Sequence, residues 1–110
     1  QPVTVLALID TGAQVSCIDP DGIARLPLVF YGMTQVNAPA AGGFGYALQY
    51  AASLTIPHPS GRAANNFRLT DLPLTDVSLG PFGCDVLIGR DVLARCVFRF
   101  DGPALAFTLD

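Results

Sequence analysis

The sequence predicts a mostly β protein with one or two short helical pieces, and three observations lead there. From Tyr46 to Ile56 the residues alternate with period two, with Tyr46, Leu48, Tyr50, Ala52, Leu54 and Ile56 on one face. Other apolar runs, Val3–Ile9 and Val86–Ile88, are short and stop at turn-forming residues. Finally, all 6 basic residues are Arg and all 9 acidic ones are Asp, so the helix-favouring Lys and Glu are absent. At 110 residues the chain is long enough for one core and too short for two, so residues 1–110 read as a single domain. The chain is 51% hydrophobic and 14% charged, which argues for a folded chain over a disordered one.

The elements follow in order. Val3–Ile9 is apolar on both faces apart from Thr4 and reads as a buried strand. Asp19-Pro20 supplies a cap and a first-turn proline for a helix running to about Leu26, where Pro27 ends it. The Gly/Ala-rich stretch 38–45 suits a mobile turn leading into the alternating strand. Pro57–Gly61 reads as a turn and Phe67–Leu74 as a further strand. Val86–Ile88 is a short buried strand stopped by Gly89, and Asp91 is placed to cap one helical turn to about Arg95. The end reads as a β-hairpin, VFRF and ALAFTL joined through Asp101-Gly102-Pro103.

Composition also excludes classes of function. With a net charge of −3 and no basic cluster, nucleic acid has no electrostatic footing here. Apolar runs fall far short of membrane-spanning length, so no membrane contact is expected of this segment. Cys17, Cys84 and Cys96 are odd in number and lack metal-type spacing, which disfavours both a disulfide framework and a zinc site. Each reads as a small buried hydrophobe, and reduced thiols lean toward a cytoplasmic setting. His58, the one histidine, lies between two prolines in an expected exposed turn and offers little to a Ser-His-Asp or Cys-His arrangement. No metal or cofactor is expected.

The chemistry gathers at three places: a strand ending in Asp10-Thr11-Gly12-Ala13, a Gly-rich hairpin at Gly43-Phe44-Gly45, and the strand ending in Gly89. Each alone is weak. Asp and Gly favour turns, Phe44 could fold onto a core, and Leu87 and Ile88 could be plain packing. A carboxylate at the end of an apolar run nevertheless calls for a partner or a purpose.

Taken together these stretches, LIDTGAQVSCI, GGFG and VLIGRDVL, resemble the retropepsin-like aspartic proteases over nearly the whole chain. The ending CVFRFDGPALAFTL is similar to the terminal hairpin of cellular and bacterial members, a closer likeness than to viral ones. The resemblance implies an acid-protease barrel with a flap hairpin and a ψ-shaped loop. It implies that Asp10 is catalytic, that Thr11 bonds across a dimer interface, and that Gly12 lets the substrate backbone approach. Ala13 would complete the catalytic turn. Gly43, Phe44 and Gly45 would belong to the flap, Leu87 to a side-chain pocket, and Gly89 and Arg90 to the loop beneath the site. Viral members carry an acidic residue after Asp-Thr-Gly-Ala that pairs with the later Arg, whereas here that position holds Gln14. Arg90 is then left to Asp91, Asp19 or the other subunit. Only nine residues precede Asp10, so the expected interface is either the terminal hairpin or a segment upstream of Gln1.

Peptide hydrolysis by carboxylates needs two that share one proton, one acting as base toward water and the other as acid. With one Asp-Thr-Gly in the chain, the simplest second carboxylate is another copy of Asp10 across a two-fold axis. The expectation is a homodimeric aspartic endopeptidase acting on extended peptides or proteins. Ala13 offers no hydroxyl to stabilise an ionised pair, so activity is expected at mildly acidic pH. The alternative is a catalytically weak dimerisation or peptide-binding module of the same fold, and a third reading is an unrelated β-barrel with Asp10 in a turn.

Overall fold

The structure is a computed structural model describing residues 3–26, 28–38 and 43–110, with 37, 38, 43 and 44 described by their backbone. Strand β1 spans Ala7–Ile9 and β2 spans Cys17–Ile18, yet they are not neighbours in the sheet. Between them lies a strand from far along the chain, Val86–Ile88, the sixth in sequence. It runs parallel to β1, with Leu8 opposite Leu87, and antiparallel to β2, with Cys17 opposite Leu87. This insertion is the ψ-shaped arrangement, and it sets the turn 10–16 across the end of the inserted strand.

Helix α1 (Pro20–Arg25) follows β2 as its capping residues dictate. Asp19 is the N-cap, accepting from the Asp21 and Leu79 N–H groups at 3.0 and 2.7 Å. Those bonds, from Leu79 first and Asp21 second, hold its carboxyl below the usual carboxylate range. Asp21-Gly22 lies inside this helix, as the Asp19-Pro20 cap predicts. Gly22 is buried there, and a Cβ on it would stand 3.1 Å from Cγ1 of Ile18. Pro27 lies outside the described residues.

A long ribbon forms next: β3 (Val29–Ala38) pairs antiparallel with β4 (Gly43–Ile56), which pairs antiparallel with β5 (Phe67–Asp76). No sequence pattern predicts β3, because Val29 to Ala38 shows no clean alternation. A bulge between Phe30 and Gly32 breaks the period there. A second bulge, between Ala52 and Leu54, divides β4. Beyond it Leu54 and Ile56 pack on the core, while Tyr46 before it is 74% exposed. The turn at 57–61 is present, closed by the Gly61 N–H on the His58 carbonyl, with His58 exposed.

The six strands, with Val86–Ile88 as β6, form one sheet of order β1-β6-β2-β5-β4-β3. The mostly β fold is as expected, and among the described residues no pairing joins β1 to β3 to close it into a barrel. The Val3–Ile9 expectation needs correction: only Ala7–Ile9 is strand, and Leu8 is 41% exposed. Among the described residues the apolar run belongs to a sheet edge with a single neighbour, and together with Asp10, Thr11, Val86 and Ile88 it lines a groove of about 1450 Å³. Helix α2 (Arg90–Leu93) begins at Gly89, not at an Asp91 cap. The closing hairpin, β7 (Phe98–Asp101) and β8 (Ala106–Leu109), forms its own two-stranded sheet as expected.

Ile18, Leu72, Leu74, Val86, Ile88, Val92 and Leu93 make the main core. Ile18 and Val92 are fully buried, each contributing about 2 kcal/mol of transfer free energy. The core thus sits directly beneath the loop that carries Asp10. The three cysteines are free thiols, with Cys84 buried and Cys17 and Cys96 half-buried. No helix among the described residues is long and apolar enough to cross a membrane.

Candidate active site

Asp10 is the first residue past β1, and its N–H donates to the Ile88 carbonyl at 2.9 Å. Its Oδ1 accepts the Gly12 N–H at 2.9 Å, while the Ala13 N–H donates to its main-chain oxygen at 3.2 Å. The carboxylate is therefore fixed by its own turn, with Thr11 and Gly12 exposed beside it. A Cβ on Gly12 would lie 3.2 Å from that same Oδ1, so glycine is what leaves the carboxylate room.

Gly89 has a stricter reason. A Cβ there would meet the Val15 carbonyl oxygen at 2.7 Å and that of Ala13 at 2.9 Å. Its φ of −99° is open to any residue, so space alone selects glycine. Next to it the Arg90 N–H donates to the Ala13 carbonyl at 2.9 Å, locking the two segments together. The Arg90 side chain is exposed. Among the described residues the ion pairs are Arg25–Asp85 and Arg99–Asp110, so Arg90 meets neither Asp91 nor Asp19 in one.

Asp91, expected as a helix cap, instead serves Ser16, a residue that no sequence motif singles out. Ser16 is fully buried. Its hydroxyl donates to Asp91 Oδ1 at 2.7 Å and accepts the Gly89 N–H at 3.0 Å, while its own N–H donates to Asp91 Oδ2 at 3.0 Å. The signal that could have found them is a Ser inside the apolar run VSCI, since a buried hydroxyl must find partners.

Leu87 is 7% exposed and packs with Leu79 and Cys84, with Ala13 and Cys17 at the margin of that cluster. Burial pushes the Cys17 thiol up, and the charges of Asp91 and then Asp10 add to this. A thiol so held stays protonated at neutral pH, which removes Cys17 as a nucleophile. Above the turn, Gly12, Gln14 and Val15 face Thr34, Gln35, Val36 and Gln49 of the β3–β4 ribbon across a cleft of about 650 Å³. The backbones of Gly43, Phe44 and Gly45 lie in β4, opposite Ala38, Asn37 and Val36. Gly42 and the rest of the connection between the two strands are outside the described residues.

Most of the other carboxylates near this region have structural work. Asp19 caps α1, Asp91 holds Ser16, and Asp85 accepts the Leu6 N–H at 2.9 Å and pairs with Arg25 at 3.2 Å. Asp10 is the carboxylate that the turn presents. Compared with known families, the chain matches the one described as retroviral aspartyl protease over residues 2–100. Neither the curated proteins nor the solved structures yield a match.

Proposed function

The chain belongs to the retroviral aspartyl protease family, and on that premise we propose that it is one half of a homodimeric endopeptidase whose Asp10 carboxylates, one per subunit, activate water. The observation that carries this reading is the placement of Asp10 at the end of β1, its carboxylate held by the Gly12 N–H and its own N–H on the Ile88 carbonyl, while Asp19, Asp85 and Asp91 are engaged elsewhere. Two such turns face to face give the pair that the chemistry requires. Like charges so close cannot both ionise, so the pair holds one proton, and it does so to mildly acidic pH because Ala13 adds no hydroxyl. One carboxylate then takes a proton from water as the other gives one to the scissile carbonyl.

Thr11, exposed beside Asp10, is the residue that would bond across the two-fold axis. An extended peptide would lie in the cleft between the turn and the β3–β4 ribbon as an added strand. Gly12 would let its backbone approach and Gly43, Phe44 and Gly45 would close over it, whereas Leu87, packed with Leu79 and Cys84, does not line that cleft. The subunit interface would use the apolar face of the terminal hairpin, where Phe100 and Phe107 are 69% and 53% exposed.

The test compares wild type with Asp10→Asn on a peptide library between about pH 3 and pH 8. Wild type should cleave best at mildly acidic pH, and Asp10→Asn should lose about a thousandfold or more in kcat/KM. Equal cleavage by both removes Asp10 from the chemistry. Dimers that bind peptides without cutting them would establish the binding-module alternative instead.

A further inference from the structure

We propose that Asp91 is the positioning residue of the loop carrying Asp10, acting through Ser16; its part in catalysis rests on the peptidase reading above. The loop from Asp10 to Ser16 is fixed to one continuous stretch, Ile88–Asp91, at both ends. At its start the Asp10 N–H donates to the Ile88 carbonyl at 2.9 Å. At its end the Asp91 carboxylate takes both Ser16 donors, the hydroxyl on Oδ1 at 2.7 Å and the N–H on Oδ2 at 3.0 Å. The Ser16 hydroxyl in turn accepts the Gly89 N–H at 3.0 Å, so one buried side chain joins the carboxylate to the glycine beneath the turn.

Between these anchors Thr11, Gly12, Gln14 and Val15 are exposed. They have little packing of their own, so hydrogen bonds set the loop's shape: these anchors, the Arg90 N–H on the Ala13 carbonyl at 2.9 Å and the Thr75 N–H on the Ser16 carbonyl at 3.1 Å. The bonds to Asp91 are charge-assisted, the stronger kind, and the 2.7 Å hydroxyl contact has the length expected of one. Asp91 also accepts the Val92 N–H at 2.8 Å, which ties the same carboxylate to the start of α2 and to the core residue Val92. It is not among the residues around the cleft, so its influence on the reaction passes through Ser16 and Gly89.

The test uses Ser16→Ala, Asp91→Ala, the double variant and Asp91→Asn, which keeps an acceptor for the Ser16 hydroxyl. On a cleaved peptide, Ser16→Ala and Asp91→Ala should each lower kcat by about 10- to 100-fold with KM nearly unchanged. The double variant should be no worse than the poorer single, since the pair acts as one unit. Asp91→Asn should recover much of the rate and, being nearly isosteric, keeps the proposal testable if Asp91→Ala fails to fold. Amide exchange supplies a readout independent of turnover. The Gly12, Gly89 and Arg90 amides should exchange about tenfold faster in Asp91→Ala, with the β4–β5 amides unchanged. Unchanged kcat, unchanged loop amides, or a loss of rate that only follows a global rise in exchange would each overturn the proposal. An inert wild type would refute the peptidase reading alone, and the loop amides would still decide whether Asp91 holds the loop.

Discussion

The backbone of Gly89 passes beneath Val15 so closely that a Cβ there would stand 2.7 Å from the Val15 carbonyl oxygen. This crossing joins the strand below the site to the loop that carries Asp10. All three atoms nearest such a Cβ, the Val15 carbonyl carbon and oxygen and the Ala13 carbonyl oxygen, are backbone, so none can swing aside. Gly89→Ala should therefore destabilise the fold by about 3 kcal/mol, the upper range for overpacking. Urea unfolding measures it, and a loss below about 1 kcal/mol would show that the two segments can separate freely.

Asp19 links the fold to acid. Its carboxyl lies below the usual carboxylate range because the Leu79 and Asp21 N–H groups donate to its ionised form. A depressed folded-state pKa stabilises above the unfolded value, and that contribution fades as pH falls through the folded one. The loss begins below the ordinary value of 3.8. Asp19 thus remains ionised at mildly acidic pH, where cleavage is expected. Asp19→Asn should lower the Tm at neutral pH, with the gap to wild type closing below about pH 3. A gap that does not change with pH would show that the carboxylate's charge is immaterial.

Leu105 sits at the tip of the terminal hairpin with φ of 52°, a left-handed conformation that suits Asn or Gly. It is also 89% exposed, so the folded chain gains nothing by keeping leucine there. In dilute protein, Leu105→Asn should raise stability by about 0.5 kcal/mol, read as a higher urea midpoint. A lower midpoint would mean that the leucine packs against something.

The hairpin's apolar face also bears on assembly. Phe98, Phe100, Phe107 and Leu109 share it by register, and Phe98 and Phe107 pack at 5.9 Å. Phe100 lies farther out and is 69% exposed. Phe100→Ser should weaken the dimer by about 100-fold in Kd, with circular dichroism unchanged and activity falling as dimer is lost. Sedimentation at several concentrations measures this, and an unaltered Kd would move the interface off the hairpin.

Most of the element order, and the turn that carries Asp10, are legible in the sequence. Asp10-Thr11-Gly12, the α1 cap at Asp19, the Val86–Ile88 strand and the terminal hairpin are local patterns, carried by hydrophobic period, caps and turn residues within a few positions. The tertiary structure decided what depends on distant neighbours. It placed β6 between β1 and β2, made β1 an exposed edge where its apolar run reads as buried, and formed β3 where a bulge hides the period. It also took Asp91 away from helix capping to serve Ser16, 75 positions earlier in the chain. The physical reason is the same throughout. A side chain's hydrogen-bond partner and the space left for a Cβ are set by whichever backbone lies opposite, and only the folded chain brings residues 13–16 and 88–91 together.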